Sequence, residues 1–387
     1  MQPPRQGDVR ALEPFPLIDL TGTAEQRGRL YGRQAAERIR RSIGHYTAQL
    51  TGSGQSQAQI RAWALDFVPR IEAFDADYVV EMRGIAEGAD VAFEDIVLIN
   101  ARTEVLQLGK RRAAAEAIAK RDPDGCTGVV VLPEASTDGS LIHAQNWDWK
   151  SECAETGVVL RIRRDDGPDI LTFVEAGGLA RAGLNSAGVA VTANYLESDR
   201  DYRDMGVPLS LIRRKVLEKE FVAQAFHAVY TTRKSASNNI IVSQAGGIAI
   251  DFECAPDESF QVHAERGLIV HANHWQSPVA LGKLQDTGIN TTPDSLYRDM
   301  RVRELLQAGG RKLGVEDVKQ ALFDDYQAPW SVCRPPRLNS AGNLSATVAM
   351  LVMQPAKGIL EIAPLPALNR HFTRYDLFDT ATARAAE

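Results

Sequence analysis

The chain has 387 residues, 44% of them hydrophobic and 24% charged, with a formal net charge of −6. That is ordinary globular composition, long enough for one large domain or two to three small ones. The charge is spread without a basic stripe, which excludes a nucleic-acid-tracking surface, and no stretch approaches the ~20 apolar residues of a membrane span. The start, Met1 to Asp8, carries no apolar signal core, so a soluble, cytoplasmic protein is expected.

Before residue 125 the patterns are helical. Thr23-Ala24-Glu25-Gln26 reads as a capping box opening a helix through about Leu50. Ile60 to Phe74, Tyr78 to Glu87 and Phe93 to Leu108 read as further helices. Lys110 to Asp124 ends in Arg121-Asp122-Pro123-Asp124, a composition suited to an exposed turn and tolerant of a cut.

After Cys126 come short β-rich runs punctuated by glycine: Thr127 to Leu132, Leu141 to Asn146, Val158 to Arg163, Ile170 to Glu175 and Val189 to Ala193. A long helix is predicted over Pro208 to Thr231. Strands follow near 239–243, 248–253, 260–263 and 268–272, then helices near 296–307 and 315–323, and two last strands at 346–354 and 358–362. Strand runs without regular βαβ alternation predict antiparallel sheets with helices packed outside, an α+β layered sandwich.

The chemistry centres on Gly125-Cys126, set in Asp124-Gly125-Cys126-Thr127 at the start of a strand. Glycine leaves its carbonyl open to attack and permits a strained backbone. Attack by the Cys126 thiol on the Gly125 carbonyl would pass the peptide to a thioester, and water would release a chain beginning at Cys126. That chain carries nucleophile and base together, because an α-amine titrates near ~8 and can take the thiol proton. A cysteine at a strand start is equally a small buried hydrophobe. The four cysteines, Cys126, Cys153, Cys254 and Cys333, are far apart and lack CxxC spacing, which argues against a disulfide framework or a zinc site.

Other polar segments sit at predicted strand ends. Gln145-Asn146-Trp147-Asp148 follows the second strand, and Asp148 is a candidate to hold the new amine or orient the thiol, or else a turn aspartate. A strand, Asn-Ser turn and strand from Gly183 to Val191 deliver Asn194-Tyr195, and Val270-His271-Ala272-Asn273-His274 ends another strand. Asn194 and Asn273 are candidate oxyanion donors or loop caps. Gln145, Trp147, Tyr195 and His274 are candidates for substrate contact. The His271/His274 spacing invites a metal. Residues three apart on a strand face opposite sides and no third ligand is evident, so neither metal nor cofactor is expected. A papain-like Cys-His pair competes poorly with a junction that supplies its own base.

These motifs, in this order and approximate spacing, resemble the acyl-coenzyme A:6-aminopenicillanic acid acyltransferase-like family. Asn100-Ala101-Arg102-Thr103-Glu104 is similar to the segment preceding the cut in that family. The likeness runs from about Leu17 to Phe378. It implies an N-terminal nucleophile hydrolase with a four-layer αββα sandwich, cut into a helical small chain, 1–125, and a catalytic large chain, 126–387, which form one composite domain. It implies Cys126 as nucleophile and Asn273 in the oxyanion hole. By likeness to the related choloylglycine hydrolases, it also implies Asp148 beside the terminal amine and Asn194 as a second oxyanion residue. Gln145 stands where those hydrolases have arginine, so a bile-salt amide is not expected. The ending Ala385-Ala386-Glu387 differs from a peroxisomal signal, so penicillin synthesis is not implied. The expected activity is hydrolysis or transfer at a linear N-acyl amide, with an N-acyl amide or acyl thioester as substrate. The alternatives are a β-lactam or N-acyl-amino-acid acylase, a penicillin-type acyl-coenzyme A-dependent acyltransferase, and an uncut, non-catalytic acyl-ligand-binding protein.

Overall fold

The computed structural model describes residues 12–113, 125–338 and 344–379; most of the predicted exposed linker, 114–124, lies outside them. The chain opens with strand β1 (Leu17–Leu20) and seven helices: α1 (Ala24–Gln34), α2 (Ala36–Gly52), α3 (Gln57–Leu65), α4 (Val68–Phe74), α5 (Ala76–Ala89), α6 (Phe93–Asn100) and α7 (Arg102–Ala113). Thr23 caps α1 as predicted, its hydroxyl accepting from Gln26 N while Gln26 Oε1 accepts from Thr23 N.

Three predicted helices in this region are each two. The first breaks at Ala35, whose φ of −108° and ψ of 12° leave the helical region; no Gly or Pro marks the spot. The second breaks after Leu65, and here Pro69, near the start of α4, was the available signal. The third breaks at Ala101. Glycines of α1 and α5 let the two backbones touch: a Cβ on Gly28 would lie 2.2 Å from Glu81 O, and one on Gly84 2.6 Å from Glu25 O.

The rest of the chain builds two sheets. Strands β2 (Gly125–Val131), β3 (Ile142–Lys150), β4 (Gly157–Ile162), β5 (Ile170–Glu175), β6 (Ala182–Asn185) and β7 (Val189–Tyr195) come first. Helices α8 (Leu209–Leu217) and α9 (Val222–Thr231) follow where one long helix was predicted, parted at 218–221. Strands β8 (Asn238–Gln244), β9 (Ile248–Cys254), β10 (Ser259–Val262) and β11 (Leu268–His271) lead to α10 (Pro278–Leu281), α11 (Asp294–Gln307) and α12 (Val315–Leu322). Strands β12 (Arg337–Leu338), β13 (Leu344–Gln354), β14 (Ile359–Pro364) and β15 (Thr373–Asp376) close the chain.

One sheet has the order β1-β4-β5-β6-β7-β8-β9-β10 and the other β11-β2-β3-β13-β14-β15, with β12 paired to β13. Every pairing is antiparallel except β1 with β4. The sheets face each other through β2 and β7, α8 and α9 cover the outside of the first, and α11 and α12 cover the outside of the second. The result is the four-layer αββα arrangement of an α+β protein. Strand β1, from the helical first third, lies at the edge of a sheet made otherwise from the second part, so the two parts share one body.

Alternation along β2 sets the site. Val129 and Val131 pack under α11 and α12 with Val302, Leu306 and Val318. The residues between point the other way: Cys126 joins Trp147 and Phe173 in the core between the sheets, and Val130 meets Ile241.

Candidate active site

Gly125 and Cys126 are both buried in β2; the expected exposed junction is instead a strand end inside the fold, with Cys126 only 1% exposed. Strand β2 lies between β3 and β11, and Cys126 pairs with Trp147 on β3. On the other side β11 pairs only as far as Gly128, opposite His271. Side chains replace the missing strand. Asn273 Oδ1 accepts from Cys126 N at 2.8 Å, and Arg298 of α11 donates to Cys126 O, to Thr127 Oγ1 at 3.0 Å and to Asn273 Oδ1 at 2.8 Å. Both groups facing Asn273 from this side can only donate, which fixes the carboxamide with its oxygen toward the cysteine. Its Nδ2 donates to Tyr195 O at 2.9 Å. The expected oxyanion donor therefore presents its acceptor to Cys126.

Asp148 pairs with Gly125 across the ladder, so its side chain lies on the face opposite that of Cys126. Thr347 Oγ1 donates to its Oδ1 at 2.6 Å, and Arg334 Nε stands 3.4 Å from Oδ2. Arg334 also reaches Asp294 on α11, and Asp294 pairs with Arg298 at 3.1 Å. The chain Asp148, Arg334, Asp294, Arg298 thus runs from one end of the Gly125–Cys126 peptide to the other. Asp148 Oδ2 is buried and accepts no hydrogen bond among the described residues, a costly state for a carboxylate oxygen.

Asn194 lies between the sheets. It accepts from Gln145 Nε2 at 2.8 Å and donates to His271 O at 2.9 Å, while Gln145 also donates to Ala193 O. These bonds tie β3 and β11 of one sheet to β7 of the other, beside Gly128, where a Cβ would meet Ile241 Cδ1 at 2.7 Å. Tyr195 follows at the strand end, its hydroxyl accepting from Gln107 of α7 and donating to Glu197. Trp147 is packed beside Cys126 against Phe173 and under Arg181, whose guanidinium lies 3.8 Å from the ring centre. His274 is farther round the loop, hydrogen-bonded to Ser295 Oγ at 2.8 Å. That hydroxyl also accepts from Asn273 N at 2.6 Å.

The two histidines do not face opposite sides as a continuous strand would require. Strand β11 ends at His271, and the turn stacks the rings 6.1 Å apart. His271 Nε2 bonds Glu253 at 2.8 Å and Nδ1 meets Ala272 O at 3.0 Å, so both nitrogens donate. Burial pulls His271 down, but Asp251 and Glu253 outweigh it and raise it to about 9. Burial, and then charged His271, lower His274 to about 4. Glu253 also accepts from Gln276 N and Ser277 N, clamping both ends of the loop that carries Asn273.

Arg298, Arg334, Asp294, Ser295 and Thr347 were not singled out in the sequence. One signal existed on α11, whose buried positions include Ser295, Arg298, Val302 and Leu306: two polar residues stand where the helical stripe asks for apolar ones.

The model of the acyl-coenzyme A:6-aminopenicillanic acid acyl-transferase family matches residues 135–364, more than half of the chain. The chain belongs to this family. The matched segment begins after Cys126. A member from Emericella nidulans, the 40 kDa form of acyl-coenzyme A:6-aminopenicillanic-acid-acyltransferase, is 29% identical over 326 residues, covering 82% of this chain and 84% of its own. Among solved structures, a variant of the conjugated bile acid hydrolase from Clostridium perfringens is similar with a TM-score of 0.49 and 13% identity, over 65% of this chain and 92% of that one. Penicillin V acylase from Agrobacterium tumefaciens is similar with a TM-score of 0.42 and 16% identity, over 65% and 86%.

Proposed function

We propose that this acyltransferase-family chain is a self-processing cysteine amidohydrolase and acyltransferase of the N-terminal nucleophile kind, acting on a linear N-acyl amide through a thioester at Cys126. The observation that carries the reading is the grip on Cys126: where β11 has ended, Asn273 Oδ1 holds its nitrogen and Arg298 its carbonyl oxygen. An ordinary strand residue would be held by a neighbouring backbone. Here the nitrogen that cleavage would convert to an α-amine already has a side-chain acceptor.

In processing, Cys126 Sγ adds to the Gly125 carbonyl, the C–N bond breaks with a proton passing to the nitrogen, and a thioester forms. Water then gives the Gly125 carboxylate and the free thiol. In turnover the α-amine takes the thiol proton, the thiolate attacks the acyl carbonyl, and the proton is returned to the leaving amine. Water or a second amine resolves the acyl-thioester. In this reading Asp148, whose Oδ2 accepts no hydrogen bond among the described residues, serves as acceptor for the new ammonium or for the water of processing. The carboxamide Nδ2 groups of Asn273 and Asn194, which donate to Tyr195 O and His271 O in the resting chain, are the donors this reading assigns to the oxyanion, while Gln145, Trp147, Tyr195 and His274 are assigned to the acyl or amine pocket.

The two products, 1–125 and 126–387, stay together in this reading. The pairing of β1 with β4 and the buried Arg214–Glu81 ion pair at 3.0 Å support that. All four cysteines are buried free thiols, which supports a reducing cytoplasm as the place of work; among the described residues no helix is long and apolar enough to cross a membrane. The test is sequencing the large fragment of purified protein and acid-quenching it during turnover. The expected results are a start at Cys126 and an acyl adduct on that residue. A different start or an adduct elsewhere overturns the proposal.

A further inference from the structure

Away from Cys126, helices α4 and α9 border a groove with a volume of about 950 Å³, within the ~300–1,000 Å³ of small-molecule pockets. Its floor is apolar. Phe74 of α4, Met205 and Val207 ahead of α8, and Ala223 and Ala228 of α9 line it, and the first three rest on the main core. No lining residue comes from β2, β3 or β11, which build the surroundings of Cys126. The face of α9 sets the length. Ala223 and Thr231 both line the groove, and the helix rises about 12 Å between them at ~1.5 Å per residue.

The charge on the groove has one sign. Arg70, Lys215, Lys219 and Arg233 line it, and no Asp or Glu does among the described residues. Two of these cations are paired from outside: Lys215 with Asp75 and Glu218, and Arg233 with Asp204 at 3.4 Å. Lys219 also borders the neighbouring cleft that holds Asp75, Asp77 and Glu218. Arg70 is held differently. Its Nε donates to Met205 O at 3.2 Å and its Nη1 to Asp66 O at 3.0 Å. Two backbone carbonyls thus fix the guanidinium against the loop that floors the groove, and its charge has no carboxylate partner among the described residues.

A cationic ligand would meet four like charges here, and a neutral one would leave Arg70 without a counter-charge. A compact inorganic anion would leave the apolar floor bare. An apolar chain that ends in a carboxylate satisfies both, because the floor takes the chain and the planar guanidinium suits the head.

We propose that this groove binds a medium-chain carboxylate, its chain along Phe74, Val207, Ala223 and Ala228 and its head on Arg70. Helix α4 precedes residue 125 and α9 follows it, so the ligand touches both sides of the proposed cut. The site itself depends neither on that cut nor on the amidohydrolase reading.

The experiment uses the purified full protein and reads binding alone. Calorimetry titrates octanoate, octanamide and butyrate, each below any micelle-forming concentration, into the wild type, Arg70→Met and Ala223→Phe. Octanoate is expected to bind the wild type about fivefold or more tighter than octanamide, which lacks the charge. It should bind about tenfold or more tighter than butyrate, which lacks the chain. Arg70→Met should erase the preference for the acid and leave octanamide where it was. Ala223→Phe, which fills the groove, should weaken both. Wild-type crystals grown with ω-bromooctanoate should show an anomalous bromine peak between α4 and α9. No octanoate binding, equal affinity for acid and amide, or octanoate binding unchanged in both variants overturns the proposal. A bromine peak found only elsewhere in the molecule does the same. Both substitutions fall at exposed positions; if either variant does not fold, the acid-to-amide ratio and the bromine peak of the wild type decide.

Discussion

Asp148 faces Gly125 across the β2–β3 ladder, and its Oδ2 stands 2.7 Å from where a side chain at position 125 would begin. Arg334 Nη1 lies 2.9 Å from the same point. Both distances are under any ordinary contact for a Cβ, and neither group can swing into solvent, since both side chains are buried. Glycine is needed beside Cys126 for space as well as for backbone freedom.

Gly125→Ala should therefore fold but process slowly, because the added methyl pushes the Asp148–Arg334 pair away from the peptide to be cut. A displacement of this size costs about 10²-fold in comparable reactions. Intact mass followed over time after purification measures it, and processing at the wild-type rate would show that the pair does not act on the junction.

Asp148→Asn separates charge from shape. The amide still accepts from Thr347, and the change removes the anion opposite Arg334, leaving Arg334 balanced by Asp294 alone. Slower maturation with retained folding is expected, with turnover of already cut enzyme reduced as well. Full activity of cut Asp148→Asn enzyme would reassign the residue to holding β3 against β13.

How much of this was legible without coordinates differs from residue to residue. Gly125-Cys126, Asp148, Asn194 and Asn273 could be singled out because each sits in a short motif at a predicted strand end; the structure sets Asn273 on the Cys126 nitrogen, Asp148 on the face of β2 opposite Cys126, and Asn194 beside Gly128. The capping box at Thr23 was readable because its bonds are local. Strand β1 was not, because its four residues gain their pairing from β4, far along the chain. Arg298 showed only as a polar residue on the buried stripe of α11; its partners Cys126 O, Thr127 and Asn273 lie far off in the chain and were not legible. The orientation of Asn273 was also hidden, since only the positions of Cys126 N and Arg298 decide which end of the amide faces the Cys126 nitrogen.

That orientation makes Asn273→Ala informative. Removing the carboxamide strips the acceptor from Cys126 N and one partner from Arg298. Turnover should fall on the order of 10²-fold with little change in ground-state binding. Single-turnover acylation by a reactive ester is the measurement, and an unchanged acylation rate would remove Asn273 from the machinery.

The buried Asp251–His271–Glu253 group behind the loop predicts a pH dependence of stability. Burial raises Asp251 to about 7, with His271 opposing it, and the two carboxylates hold His271 at about 9. Both folded values lie above the unfolded ones, so each contribution is complete below the unfolded pKa and is lost as pH rises through the folded one. Stability should fall between about pH 4 and 7 through Asp251, and between about 6.5 and 9 through His271. Urea melts across this range check the sign. The alkaline fall should flatten in His271→Gln, and a wild type that gains stability from pH 7 to 9 would contradict the assignment.

The reaction itself gives the last prediction. A thioester at Cys126 is open to any nucleophile that reaches it, so the enzyme should hydrolyse an N-acyl amide and also pass the acyl group to an added amine. Water is always present, whereas an amine must bind first. Raising the amine concentration should therefore shift the ratio of transferred to hydrolysed product while leaving the rate of acyl-enzyme formation unchanged. The measurement pairs that ratio with the burst of first product in a rapid-quench experiment. If the burst rate climbed with amine in step with the transfer product, the amine would be attacking the bound amide directly, and the thioester would not lie on the path.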